Sequence, residues 1–205
     1  MPDITGIKRR MRGGRVVFDI MVDDEAAFSL SDLDLSVSGL RVGQQLTDEQ
    51  VATFQEGAKS AKAYGLGLKY VGLRLRSEKE LRDYLVRKGC DADEIASASS
   101  RLKELGLVSD LRFAQAWIAD RQALKPRSRQ RLAQELGAKG VDSDTVHQVL
   151  GDMDSDAELA ALVALVLRKR KMSAYQEEQK LTAYLGRQGY RWADIKAALA
   201  RVANE

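Results

Sequence analysis

The chain has 205 residues, 44% of them apolar, and a formal net charge of +3 from 33 Lys and Arg against 30 Asp and Glu. Such content supports packed cores, either one large domain or several small ones. A single cysteine, Cys90, excludes an intramolecular disulfide, and the longest apolar run, the nine residues Leu159 to Leu167, excludes a membrane-spanning helix of about 20 residues.

The N-terminal cations Lys8, Arg9, Arg10 and Arg12 are not followed by the apolar segment of a secretory signal, so a cytoplasmic protein is expected. Charge is uneven. Residues 1–60 hold 7 Lys and Arg against 10 Asp and Glu, whereas residues 61–205 hold 26 against 20. The second region is mildly basic, well short of a protein that coats DNA by charge alone.

In chain order, residues 4–30 read as a meander of about three strands. Gly13-Gly14 separates Ile4 to Arg12 from the run Val16, Val17, Phe18, Ile20 and Val22, and Asp23-Asp24 marks a second turn before Ala27, Phe28 and Leu30. So small a sheet should pack on a helix. Arg41 to Gln45 reads as a turn, and Thr47 with Gln50 as a capping box opening a helix that carries Val51 and Phe54. A soft boundary is expected at 57–62, where Gly57 is the only break.

From there the chain repeats. Leu81 to Ile95 reads LRDYLVRKGCDADEI, Leu132 to Val146 reads LAQELGAKGVDSDTV, and Leu181 to Ile195 reads LTAYLGRQGYRWADI. Each copy places Gly (Gly89, Gly140, Gly189) at the end of an amphipathic helix, where a C′ residue takes a left-handed backbone. A polar start and an apolar stripe then open the next helix, and one further helix precedes each copy. The expected fold is mainly α: three tandem three-helix repeats behind a small β-rich module with its helix. The expected domains are 1–60, 62–108, 109–152 and 153–205.

Local signals refine this plan. Ser77 with Glu80, and Ser155 with Glu158, read as capping boxes; Asp110 and Ser128 read as N-caps. Phe113, Trp117 and Leu124 should share one helix face, with Pro126 ending that helix. Leu159, Leu162, Val163, Val166 and Leu167 should form the stripe of the third repeat's first helix. Gly65, Gly67 and Gly72 weaken the helix before the first copy, by about 1 kcal/mol each relative to Ala.

Four segments carry a resemblance to a known family. Arg74-Leu75-Arg76-Ser77 before Glu80-Leu81, closing at Arg87-Lys88-Gly89, resembles the R-x-x-S-x-x-E-L…L-x-x-K-G helix of the RecX family of recombinase regulators. Gly106 to Ala114 resembles its G-Y-L-D-D-x-R-F-A turn, with Leu107 and Ser109 replacing Tyr and Asp. Arg127 to Gly140 and Leu181 to Ile195 resemble its second and third repeats, with Gly137 inside a helix. The resemblance covers about 64–203, and the N-terminal extension is similar to one carried by a branch of the family. It implies a non-enzymatic regulator that binds the RecA protein and the RecA–single-stranded DNA filament. It further implies restraint of filament growth, ATP hydrolysis and strand exchange, in DNA repair, recombination and the SOS response, with the array lying along the filament groove.

The residues themselves favour no catalysis. There is one His, His147, and one Cys, too few for a Cys/His nucleophile pair, and no phosphate-binding loop or zinc-protease motif is present. Asp91, Asp93 and Glu94 resemble the start of a calcium loop, but Ala96 stands where its Gly belongs. No metal, cofactor or membrane partner is expected, and a monomer is. Cys90 follows Gly89 and reads as a packing residue.

Candidate contacts to the filament or to DNA are basic: Arg74, Arg76, Arg82, Arg87 and Lys88 in the first repeat; Arg127, Arg129 and Arg131 at a helix start that disfavours positive charge; and Arg168, Lys169, Arg170 and Lys171 at a helix end that favours it. Each set has a plainer reading as solvated or locally paired charge. Trp192, near a turn, is a candidate for base stacking, whereas Trp117 reads as core. Weak direct DNA binding stays open. Rival readings are a helix-turn-helix transcription regulator, which should show steep salt-dependent duplex binding, and a helical scaffold for another protein.

Overall fold

The computed structural model describes residues 1–12, 15–124 and 127–203. Strands β1 (Ile4–Arg12), β2 (Arg15–Val22) and β3 (Glu25–Ser31) form an antiparallel meander in that order. Gly13-Gly14, read as the first turn, lies outside the described residues. The second turn is as expected: Asp23 and Asp24 both take positive φ, 50° and 68°, the conformation that matches strand twist in a two-residue hairpin. Ile4, Ile20, Val22, Phe28 and Leu30 cover one core, closed by Leu40, Leu46 and the partly buried Val51, Phe54 and Ala58. Phe28 stacks on Phe54 with ring centroids 5.4 Å apart, so the sheet does pack on a helix.

Ser31 caps a short helix that the sequence reading passed over, α1 (Asp32–Ser38), by accepting from the Asp34 amide at 3.1 Å. Gly39, at φ 65°, ends it. Thr47 and Gln50 form the expected capping box on α2 (Asp48–Val71), which runs unbroken through 57–62, where a soft boundary was expected. A Cβ on Gly57 would meet nothing within 4 Å, so this glycine sits on an open helix face and interrupts nothing.

The repeats follow as α3 (Glu78–Arg87) and α4 (Ala92–Glu104) behind the end of α2; then α5 (Asp110–Leu124), α6 (Arg129–Ala138) and α7 (Ser143–Gly151); then α8 (Ser155–Arg170), a 3-10 turn at Ser173–Tyr175, α9 (Glu178–Arg187) and α10 (Trp192–Ala203). Contacts divide the chain into two compact units, Met1–Gly72 with Arg82–Leu105, and Leu73–Leu81 with Gly106–Glu205. In the first, α2 packs on α4, and Tyr70 stacks on Tyr84 at 4.1 Å. In the second, Phe113, Ala114, Ile118, Leu132, Leu136, Val141, Val146 and Val149 make one core, and Leu162, Val166, Leu181, Leu185, Ile195 and Ala198 centre another.

All three repeat glycines take the left-handed backbone, φ 76°, 84° and 83° at Gly89, Gly140 and Gly189. At each, the Gly amide donates three residues back and the following amide five residues back, as from Cys90 to the Leu85 carbonyl, Val141 to Leu136 and Tyr190 to Leu185. This is the Schellman closure, which also buries the residue after the glycine. Cys90 is accordingly buried, and burial first, then the Glu94 charge, pushes its thiol pKa up.

Several caps differ from expectation. Ser109, not Asp110, caps α5, accepting from the Arg112 amide at 3.3 Å; the Asp110 carboxylate instead accepts from the Glu78 amide at 2.8 Å. Asp154, not Ser155, caps α8, because Ser155 and Glu158 are both engaged by Arg129. Ser77 does cap α3, but the Glu80 carboxylate pairs with Arg74 and Lys139. Leu124 is 83% exposed and leaves the face of Phe113; Pro126 lies outside the described residues. Leu167 sits at the edge of its stripe, 39% exposed.

Candidate interaction surface

The surface is built on a seam between repeats. The middle helices of the first two repeats begin with a buried serine, Ser77 for α3 and Ser128 for α6, whereas α9 of the third has Glu177 in that place, with no side-chain cap. Each hydroxyl accepts the cap bond from its own helix and donates across to the last turn of the next repeat's middle helix. Ser77 Oγ donates to the Lys139 carbonyl at 2.7 Å, and Ser128 Oγ to the Gln188 carbonyl at 2.7 Å. The repeat glycines make this approach possible. A Cβ on Gly140 would lie 2.5 Å from Lys79 Cβ, and one on Gly189 would lie 2.8 Å from Ser128 Oγ. Helix starts thus abut helix ends, with a hydroxyl answering a free carbonyl.

Beside this seam a charge cluster forms. Glu135 Oε2 accepts from Trp117 Nε1 at 3.1 Å and Arg121 Nε at 2.8 Å, while Glu135 Oε1 lies 3.8 Å from Arg127 Nε and 3.7 Å from Arg131 Nε. The Arg121 guanidinium covers the Trp117 ring at 4.3 Å, and Lys139 Nζ lies 5.2 Å from the same ring. Lys139 Nζ also donates to Glu80 at 2.7 Å, and Arg74 grips Glu80 with two nitrogens at 3.2 and 3.3 Å. Five cations and two carboxylates form one linked network, in which Arg121, Lys139 and Glu135 meet the half-buried indole. Burial alone would raise both Glu pKa values. The Lys139 and Arg74 contacts outweigh it at Glu80, and the Arg121 and Trp117 hydrogen bonds outweigh it at Glu135, so both carboxyls titrate below their ordinary range.

Of the sequence candidates, this cluster gathers Arg74, Arg127 and Arg131. Arg129 is not on it: its guanidinium donates to Glu158 at 2.6 Å, to the Leu150 and Met153 carbonyls and to Ser155, tying α6 to the α7–α8 connection. Arg76 is half-buried. Arg82, Arg87 and Lys88 are exposed in the other unit, Lys88 over the Tyr84 ring at 5.6 Å. In the third repeat Lys169 lies over Tyr175 and Tyr184 at 5.1 and 4.8 Å, and Arg170 lies 3.9 Å from Glu178. Arg168 and Lys171 are exposed, as is Trp192 at 66%.

Arg121, Lys139 and Trp117 escaped the sequence reading as contacts. Arg121 stands four residues after Trp117, a spacing that puts a cation over an indole on one helix face, and this was the available signal. Asp91 and Glu94 form a capping box on α4, which gives these acids a structural role. Among the described residues no three His, Cys, Asp or Glu side chains converge as a metal site, and no helix is long and apolar enough to cross a membrane.

Comparison with known proteins agrees with the repeats. Residues 63–102 match the family model described as RecX, first three-helix domain, and residues 109–150 that described as RecX, second three-helix domain. The regulatory protein RecX of Bacillus pumilus is 31% identical over 97% of this chain and 77% of its own length. That of Bacillus subtilis is 30% identical over 100% of this chain and 79% of its own. A crystal structure of regulatory protein RecX superposes with TM-score 0.77 at 20% identity over 98% of this chain and 100% of that one. Another, RecX from Lactobacillus salivarius, gives TM-score 0.67 at 19% identity over 72% and 98%. With this identity along its whole length, the chain belongs to the RecX family of regulatory proteins.

Proposed function

We propose that this chain restrains the RecA recombinase. It binds RecA and the RecA–single-stranded DNA filament, acts without catalysis of its own, and slows filament extension, ATP hydrolysis and strand exchange. The observation that carries the reading is the cation cluster around Trp117. It presents more positive than negative charge on a surface fixed by the Ser77 and Ser128 hydrogen bonds. Such a surface suits a polyanionic partner, whether the acidic wall of a protein groove or the phosphates it encloses. The turns that resemble a DNA-reading helix-turn-helix are less suited to groove entry, because the Gly140 and Gly189 turns are covered by Lys79 and by Ser128 with Gln130.

The test is RecA ATP hydrolysis on single-stranded DNA, titrated with this protein. Inhibition is expected. It should be lost in Arg127→Gln/Arg131→Gln, whose long contacts to Glu135 contribute under about 1 kcal/mol each to folding. An unimpeded RecA, with no binding at excess protein, refutes the proposal. Inhibition that survives in the folded double variant removes the cluster from it.

A further inference from the structure

The N-terminal module carries a second basic surface, separate in sequence from the cluster on the repeats. Five of the seven cations in residues 1–60 fall between Lys8 and Arg15, whereas the ten acids of that region lie outside this span. β1 is an edge strand, and from Lys8 to Arg12 every one of its side chains is exposed. Among the described residues, the one acid on the neighbouring strand β2 is Asp19. It is 4% exposed and already held by Ser29 Oγ at 2.6 Å and Arg10 Nε at 2.9 Å, with Arg12 at 3.9 Å. Lys8, Arg9 and Arg12 therefore present their charge outward.

The backbone gives these charges a shape. β3 ends at Ser31, opposite Val17, which itself pairs with Arg10. Beyond that level only β1 and β2 continue, pairing Met11 with Val16 and Arg12 with Arg15. The result is a two-stranded ribbon projecting from the end of a three-stranded sheet. Lys8, Arg10 and Arg12 alternate onto one face about 6.7 Å apart, and Arg9 lies on the other. Phosphates of one duplex strand rise about 3.4 Å each along the helix axis and lie farther apart along the backbone, so cations at this spacing are on the scale of neighbouring phosphates. A two-stranded ribbon also fits the major groove, about 12 Å wide. Met11 is the one large apolar side chain exposed on the strand, too little for insertion into a lipid surface. Arginine, three of the four cations, suits phosphate by its forked geometry.

We propose that Lys8, Arg9, Arg10 and Arg12 form a DNA-docking arm. It takes the sugar–phosphate backbone of a duplex, with the ribbon seated in the major groove, and needs no RecA. Recognition is by charge and shape, so it is independent of base sequence.

The experiment is fluorescence anisotropy of the full chain with a labelled random-sequence duplex, in the absence of RecA, between about 50 and 200 mM salt. The informative variant is Lys8→Gln/Arg9→Gln/Arg12→Gln, which leaves Arg10 on the buried Asp19 so that the sheet folds. Affinity should fall more than tenfold, and the slope of log affinity against log salt should flatten by about 2.7, at about 0.9 per lost phosphate contact. The control, Lys180→Gln/Lys196→Gln/Arg201→Gln, removes the same charge from exposed positions in the third repeat and should change affinity less than twofold. Equal losses in both triple variants would reduce the effect to net charge and overturn the proposal. So would an unchanged slope in the arm variant, a tenfold preference for single strands, or equal competition by polyglutamate. Unaltered RecA inhibition in the arm variant would separate this arm from the cluster on the repeats.

Discussion

Ser128→Ala is the substitution that most directly tests the seam. The hydroxyl does two things at once: it accepts from the Arg131 amide at 3.2 Å and donates to the Gln188 carbonyl at 2.7 Å. Loss of an N-cap acceptor costs about 1 kcal/mol. Loss of a buried neutral hydrogen bond costs about 1 kcal/mol more. The expected destabilisation is about 2 kcal/mol, a shift of about 1 M in urea midpoint at a slope of about 2 kcal/mol/M. Far-UV circular dichroism measures that midpoint, and hydrogen exchange should show the α9 amides opening first. Ser128→Asp separates the two roles. Aspartate is as good a cap as serine, but it cannot donate to the Gln188 carbonyl and sets a carboxylate against it. The seam requires Ser128→Asp to be no more stable than Ser128→Ala. An aspartate variant as stable as the parent would show that only the cap matters and would refute the seam.

Other substitutions probe the same construction. Gly89→Ala, Gly140→Ala and Gly189→Ala all force alanine into a left-handed backbone at about 1–2 kcal/mol. Only the latter two also press a Cβ against Lys79 or Ser128, so Gly89→Ala should be the mildest of the three in urea melts; equal costs would argue against close packing at the seam. Glu80 and Glu135 have folded pKa values below the ordinary value of about 4.3, so the stability they supply is complete above that pH and is lost as pH falls through the folded values. Glu80→Gln/Glu135→Gln should therefore be less stable than the parent at pH 7, with the gap narrowing below about pH 4; a gap independent of pH would contradict the pairing. Cys90 should resist thiol reagents in the folded protein and label at the rate of unfolding, since burial holds its thiol protonated; rapid labelling under native conditions would contradict its packing role.

What the sequence made legible was whatever the chain decides locally. The period, the three left-handed glycines, the Thr47–Gln50 box and the Asp23-Asp24 turn depend on residues a few positions apart, and each is found in the structure. The misses share a different cause. Ser155 and Glu158 look like a capping box until Arg129, more than twenty residues away, engages both and leaves Asp154 to cap α8. Glu80 looks like the reciprocal half of a box until Lys139, 59 residues away, takes its carboxylate. In each case a cation brought by tertiary packing takes the carboxylate from a local bond to a neutral backbone amide, because a pair charged on both sides is the stronger kind. Arg129 shows the same effect: positive charge at a helix start is unfavourable locally, but here it answers two free carbonyls and a carboxylate.

The cluster around Trp117 shows why composition understates this surface. Residues 61–205 carry only a modest positive excess, and the pairs taken singly look like surface salt bridges of little consequence. Yet Glu135 alone serves Trp117, Arg121, Arg127 and Arg131, and the last two remain at 3.8 and 3.7 Å, beyond good hydrogen-bond distance. One carboxylate cannot satisfy three guanidinium groups, whose forks hold five donors each. Arg127 and Arg131 are thus oriented by Glu135 without being saturated by it. An anionic partner would meet donors already aimed, with less ordering entropy to lose and like-charge repulsion to relieve. Replacing Glu135 by Gln should then act in opposite directions, weakening the fold while tightening the hold on a polyanion. A variant that loses both stability and affinity would mean that Glu135 builds the site and that its charge does not compete for the partner.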